Sequence, residues 1–195
     1  MMQELEIEFK NMLTRDEFLR VQSAFAISDK AFFTQENHYF DTPDFRLKQA
    51  KSALRIRTKN GQAVLTLKEP AEVGLMETHQ EITGLKQLKE FSIPEGQVKK
   101  QLENLEVDIM RIEYFGTLTT SRAEKKLESG VIVLDKSRYI NKEDYELEFE
   151  VSDYEKGKRD FKDLLSEFQI PVRKTKNKIV RFYEAKMNKQ QGEEK

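Results

Sequence analysis

The chain has 195 residues, room for one or two domains at about 150 residues each, and 35% of it is charged, against a usual fraction of about 25%. Its 34 Lys plus Arg and 35 Asp plus Glu leave a formal net charge of −1, which excludes nucleic-acid binding through bulk basicity. The absence of Cys excludes disulfides, thiolate metal sites and a thiol nucleophile, and fits a reducing compartment.

No run of the sequence approaches the roughly 18 apolar residues of a membrane-spanning helix. The opening Met1-Met2-Gln3-Glu4 is acidic, unlike a secretory signal. The expectation is a soluble, cytoplasmic protein with no membrane partner. Thirteen Phe and six Tyr supply bulk for one core. No Gly/Ser- or Pro-rich linker divides the chain, so a single domain over residues 1–187 is expected, followed by a polar tail over 188–195.

Strict apolar/polar alternation, the period of a strand, dominates from the start. It predicts strands over 4–10, 36–42, 52–59, 62–68, 74–83, 111–121, 130–139 and 145–151. Asn60-Gly61, Ser129-Gly130 and Asn141-Lys142-Glu143-Asp144 supply turn signals between successive strands. Thr14-Arg15-Asp16-Glu17 has the spacing of a capping box, and Phe18, Val21 and Phe25 continue it at helical intervals. Further helices are predicted within 85–105, over about 158–168 (Phe161, Leu164, Leu165 and Phe168 on one stripe) and around Ile179–Tyr183. Short connections between strands make the sheet antiparallel, and the class is α+β.

The charge concentrates on strand faces. Glu4, Glu6, Glu8 and Lys10 share one face of the first strand, opposite Leu5, Ile7 and Phe9. Glu146, Glu148 and Glu150 share a face opposite Leu147 and Phe149, and Arg55 and Arg57 share another. Carboxylates two residues apart along a strand lie roughly 6–7 Å from each other and stay ionised only beside compensating cations. Arginines and lysines of other strands can supply these, and so can Mg²⁺ or Mn²⁺, which prefer carboxylate oxygens. Arginine forks suit phosphate. The residue types therefore point to a metal-assisted polyphosphate site, against the plainer alternative of solvated outer faces. A Gly-rich phosphate loop is missing, which disfavours a P-loop or Rossmann enzyme. Glu77, His79 and Glu81 share a further strand face that either lines a site or is solvated. His38 and His79 have no metal-ligand spacing and are expected in packing or surface roles. Arg173, Lys174, Lys176 and Lys178 form a basic run, either a phosphate contact or an exposed segment.

Several of these segments, in order, resemble the CYTH superfamily, the class IV adenylate cyclase and thiamine triphosphatase group also called triphosphate tunnel metalloenzymes. Glu6-Ile7-Glu8-Phe9-Lys10 resembles its E-x-E-x-K motif, and Tyr39-Phe40-Asp41-Thr42-Pro43 its Y-F-D-T segment. Leu54-Arg55-Ile56-Arg57 resembles its L-R-I-R strand, and Leu65-Thr66-Leu67-Lys68 the next basic strand. Thr120-Ser121-Arg122, Val133-Leu134-Asp135, Glu146 to Glu150 and Lys178 complete the set, which spans residues 4 to about 183. The arrangement is most similar to the small bacterial members of the YjbK type.

The resemblance implies an eight-stranded antiparallel β-barrel forming a tunnel, with helices packed outside and the ionised faces inside. It implies divalent-metal-dependent hydrolysis of a triphosphate (inorganic tripolyphosphate, thiamine triphosphate or a nucleoside triphosphate) with Mg²⁺ or Mn²⁺ as cofactor. On it, Glu6, Glu8 and Lys10 are catalytic, and Glu6, Glu8, Asp135, Glu146, Glu148 and Glu150 are the metal-holding candidates. Arg55, Arg57, Lys68, Arg122 and Lys178 contact phosphate. Asp135 alternatively orients a lysine, and Lys10 and Lys178 alternatively neutralise carboxylates. The other readings are a class IV-type adenylate cyclase and a non-catalytic polyphosphate or nucleotide sensor. No nucleic-acid partner is expected, a homodimer stays open, and residues 85–110 either cover an edge or form a dimer surface.

Overall fold

The computed structural model describes residues 3–85 and 87–193, with side chains described up to residue 189. Eight strands run in chain order as β1 (Gln3–Leu13), β2 (Phe33–Asp41), β3 (Ala53–Lys59), β4 (Gln62–Pro70), β5 (Leu75–Ile82), β6 (Glu113–Leu127), β7 (Gly130–Tyr139) and β8 (Lys142–Val151). They close into a barrel in the order β1-β5-β4-β3-β2-β6-β7-β8, and every pairing with a recorded register is antiparallel. The helices are α1 (Arg15–Ala24), α2 (Arg46–Gln49), α3 (Gln97–Asn104), α4 (Tyr154–Glu167) and α5 (Lys178–Glu193). The expected barrel class is the observed one.

The chain packs as two compact units that interleave in sequence. The first holds residues 1–6 and 35–118, the second 7–34 and 119–195. In the first unit, Leu54 and Ile56 of β3 and Leu65 and Leu67 of β4 project from one face and pack with Phe40, Leu47 and, from α3, Val98 and Leu102. α3, within the segment expected to cover an edge or form a dimer surface, thus covers a sheet face. In the second unit, Ile132, Leu134, Leu147 and Phe149 pack with Phe18 and Val21 of α1 and Phe161 and Leu165 of α4. On both sets of strands the opposite face carries the charge, because side chains alternate across a strand.

Local chemistry sets the boundaries. Thr14 accepts a hydrogen bond from the Glu17 amide, and Glu17 accepts from the Thr14 amide, so the predicted capping box starts α1. Asn60 and Gly61 both have positive φ (50° and 78°) between the paired Lys59 and Gln62, the geometry of a two-residue hairpin turn. Gly130 has φ +156°, and a Cβ there would lie 2.3 Å from the Glu150 carbonyl oxygen. Gly130→Ala is therefore expected to destabilise the protein by about 1–3 kcal/mol, read as a lowered urea midpoint.

Four details depart from the sequence expectation. The predicted turn over 141–144 shrinks to Ile140-Asn141, since Tyr139 pairs with Lys142. Glu143 and Asp144 join β8 because Arg138 (2.7 Å) and Arg181 (2.9 Å) engage their carboxylates. β6 continues past residue 121 to Leu127, paired with β7 throughout. Leu5, expected under a helix, is 48% exposed. Residues 188–193, expected as a polar tail, continue α5 as helix.

Candidate functional site

In the first unit the charged residues come from four adjacent strands. Arg55 is registered with Thr66, Thr66 with His79, Lys68 with Glu77, and Glu77 with Glu4. Lys68 bonds Glu6 at 2.6 Å and also contacts Glu77. The same Glu77 lies 4.0 Å from the Arg55 guanidinium and 3.3 Å from His79 Nε2. Burial alone would push the Glu77 carboxyl up, but Lys68 and Arg55 outweigh it and bring the group down to about 2. Arg57 donates from Nε to Asn37 at 3.0 Å. The Nε of Arg55 is buried and has no hydrogen-bond partner among the described residues.

In the second unit the carboxylates are held by cations. Arg122 and Asp135 are cross-strand neighbours joined by a bidentate bridge of 2.8 and 2.6 Å. The same guanidinium reaches Glu148 at 2.7 Å, while its Nη1 makes a long contact of 3.7 Å to Glu150. Lys178, at the start of α5, sits 2.8 Å from Asp135 and 2.7 Å from Glu146, and also contacts Glu148. Burial opposes every one of these charges, and mutual attraction wins. Asp135 is held below the ordinary carboxylate range and Glu148 well below it; Arg122 and Lys178 are pushed well above their usual values. Lys10 contacts Glu8, and burial notwithstanding, Glu8 and Glu148 raise it.

The expected site residues therefore separate by task. Asp135, Glu146 and Glu148 spend their oxygens on Arg122, Lys178 and Arg181. Lys178 pairs with the carboxylates of Asp135, Glu146 and Glu148. Among the described residues no three His, Asp or Glu side chains are gathered as a metal site. Two glutamates do face each other: Glu8 on β1 is registered with Glu150 on β8. Like charges directly opposite across a ladder are unfavourable. The donor set fits a hard divalent cation, which commonly needs only one or two carboxylates when a phosphate ligand supplies more oxygens.

Arg181 is a site residue that the sequence reading missed. It bonds Glu146 at 2.8 Å, and its guanidinium is raised by Glu146 and Asp144 against the opposing effect of burial. The available signal was helical spacing: residue 181 falls one turn after Lys178. The basic run around 173 divides: Lys174 and Lys176 are exposed, while Arg173 and Lys178 are engaged by carboxylates. Arg173 forms a bidentate bridge to Glu17 (2.8 and 2.9 Å), and Lys176 pairs with Glu184 at 2.6 Å. His38 is buried between Thr117 (2.8 Å) and Thr58 (3.3 Å), and burial lowers it, as its packing role requires. Asp41 of the Tyr39–Pro43 segment accepts from the amides of Leu47 (2.9 Å) and Lys48 (3.1 Å), which ties down α2.

Comparison with known proteins places this arrangement. Over 186 residues the chain is 60% identical to the Bacillus subtilis protein called "Putative triphosphatase YjbK", covering 95% of this chain and 98% of that one. It is 41% identical to a Bacillus halodurans protein of known structure described as a "putative adenylate cyclase", with a TM-score of 0.89 over 94% of this chain and 100% of the other. The Hippeastrum protein HpAC1, described as having a dominant triphosphatase activity, shares the fold at 24% identity, with a TM-score of 0.71 over 93% and 96% of the two chains. The CYTH domain profile matches residues 4–183, and the chain belongs to the CYTH domain family.

Proposed function

We propose that this protein is a divalent-metal-dependent triphosphatase, hydrolysing the terminal anhydride of a tripolyphosphate, thiamine triphosphate or nucleoside triphosphate. The observation that carries the proposal is Arg55: a guanidinium whose buried Nε has no acceptor among the described residues, beside Arg57 and Lys68 on the ionised face. A buried, unsatisfied charged donor is costly, and a phosphate oxygen is the acceptor that guanidinium geometry suits. The 60% identical relative named as a triphosphatase supports the same activity.

In this proposal Arg55, Arg57 and Lys68 bind phosphate oxygens, and Arg122 adds its Nη1, the guanidinium nitrogen with only a long contact. Glu6, Glu8 and Glu150 hold Mg²⁺ or Mn²⁺, which when bound offsets phosphate charge and lowers the pKa of water. Asp135, Glu146 and Glu148 hold Arg122, Lys178 and Arg181 in place. Lys10 counterbalances Glu8. A water oxygen attacks the terminal phosphorus in line. The P–O bond to the diphosphate breaks with its electron pair on the leaving oxygen, and the water proton passes to a carboxylate of the same face or to solvent. Positioning and charge stabilisation do most of the work, as phosphoryl transfer generally requires.

The adenylate cyclase reading has one supporting observation, the description of the 41% identical Bacillus halodurans relative. It uses the same cations and differs in the nucleophile. Calorimetry with tripolyphosphate tests the binding half of the proposal. Arg55→Met is expected to weaken binding by about 10–100-fold, the loss of roughly 1.5–3 kcal/mol for charge-assisted hydrogen bonds. Undiminished binding by Arg55→Met would count against the site. Cyclic AMP formed from ATP without phosphate release would select the cyclase.

A further inference from the structure

Glu77 and His79 belong to none of the segments that carry the family resemblance, yet they sit at the centre of the first unit's charge cluster. Glu77 is 5% exposed: one oxygen contacts Lys68, the other lies 3.3 Å from His79 Nε2 and 4.0 Å from Arg55 Nη2, and its carboxylate also hydrogen-bonds Glu6. The opposite ring nitrogen of His79, Nδ1, is 3.0 Å from the Thr66 hydroxyl, so the ring is fixed between β4 and its own strand. The groups facing the imidazole are Glu77 and Glu81 on the same face of β5, Thr66 and, beyond it, Lys68 on β4, and Glu4 on β1 at 4.0 Å. None of these is assigned to the metal.

We infer that His79 is a positioning residue for phosphate binding, acting through Glu77 on Arg55 and Lys68 and making triphosphate affinity depend on pH. The inference rests on the phosphate-binding role proposed for those two cations. With a neutral imidazole, the Glu77 carboxylate draws Arg55 and Lys68 toward itself, in competition with phosphate. Protonation turns the 3.3 Å contact into an ion pair on the oxygen nearest Arg55. The carboxylate's charge is then shared with His79, the guanidinium is released toward the ligand, and the cluster gains one positive charge. Histidine is the side chain whose ordinary charge change falls between pH 5 and 8, so the test spans that range.

The test is calorimetric binding of tripolyphosphate at pH 5.5 to 8.0, with EDTA present, to wild type, His79→Gln and His79→Lys. Protonation of tripolyphosphate itself is common to all three and cancels in their ratios. Affinity of wild type over His79→Gln is expected to be about tenfold at pH 5.5 and to fall to about one at pH 8.0. His79→Lys, a permanent cation, is expected to bind at pH 8.0 about tenfold more tightly than wild type. The inference is overturned if wild type and His79→Gln keep a constant ratio across the range, or if His79→Lys binds no better than wild type at pH 8.0. Absence of tripolyphosphate binding by wild type at every pH would instead remove the phosphate-binding reading beneath it.

Discussion

Glu8→Gln is expected to lower metal-dependent phosphate release by at least about 100-fold while leaving the fold intact. Glu8 lies directly opposite Glu150 across the β1–β8 ladder, and its carboxylate is mostly covered, with Lys10 as its contact. What Lys10 contributes is offset in part by the facing Glu150 carboxylate. Neutralising one of two facing carboxylates removes a repulsion worth roughly 0.2–1 kcal/mol. That relief is set against the weaker bond a neutral Gln makes to Lys10, so the thermal midpoint of the metal-free variant should stay close to that of wild type. Loss of turnover without loss of stability marks a residue kept for chemistry rather than for folding. Paired measurements of phosphate release and thermal unfolding check both halves, and wild-type turnover in Glu8→Gln would count against the assignment.

Arg122→Met should have the opposite profile, with stability collapsing first. The substitution leaves Asp135, fully buried, and Glu148, nearly so, without the guanidinium that bridges them at 2.6–2.8 Å. Removing one partner of a buried ion network costs about 3–5 kcal/mol. For a chain of this size that corresponds to a fall of about 6–20 °C in the thermal midpoint. Calorimetric unfolding in EDTA measures it, and a shift below about 2 °C would show that the network is not what holds β6, β7 and β8 in register.

The same network sets the pH limits of stability in EDTA. Asp135 titrates below its ordinary 3.8 when folded, so its contribution is complete above that value and is lost as pH falls through the lowered one. Lys178 titrates above its ordinary 10.5 when folded, so its contribution is complete below 10.5 and is lost as pH rises through the raised value. Stability from this cluster should be flat between about pH 5 and 10 and decline on both sides, as followed by urea midpoints across the range. A cluster-dependent decline beginning near neutral pH would contradict the pairing.

The barrel was legible because alternation is a direct imprint of strands with two different faces, and eight alternating runs were each visible. What alternation alone could not decide was whether an ionised face meets water or its own counterions. The structure separates these cases: Glu148 meets Arg122 and Lys178, while Glu81 is exposed. Arg181 stayed hidden because its value depends on α5 presenting two successive cations to Asp144 and Glu146, a tertiary placement that helical spacing permits but does not require. Asp144 was misread for a related reason. An Asp beside Asn and Lys suggests a turn, but in β8 Asp144 is registered with Ser137 and its carboxylate is engaged by Tyr139 and Arg181. The basic run near the C-terminus is exposed at Lys174 and Lys176, one of its two readings, whereas Arg173 closes on Glu17, a tertiary contact that spacing does not show.

The most direct measurement is phosphate release from tripolyphosphate, thiamine triphosphate and ATP, each with Mg²⁺, Mn²⁺ or EDTA, for wild type and Glu8→Gln in parallel. Release from at least one of the three is expected, requiring the metal and lost in Glu8→Gln. Tight tripolyphosphate binding that depends on Arg55 but gives no release with either metal would contradict it, and would make the protein a polyphosphate sensor rather than a triphosphatase.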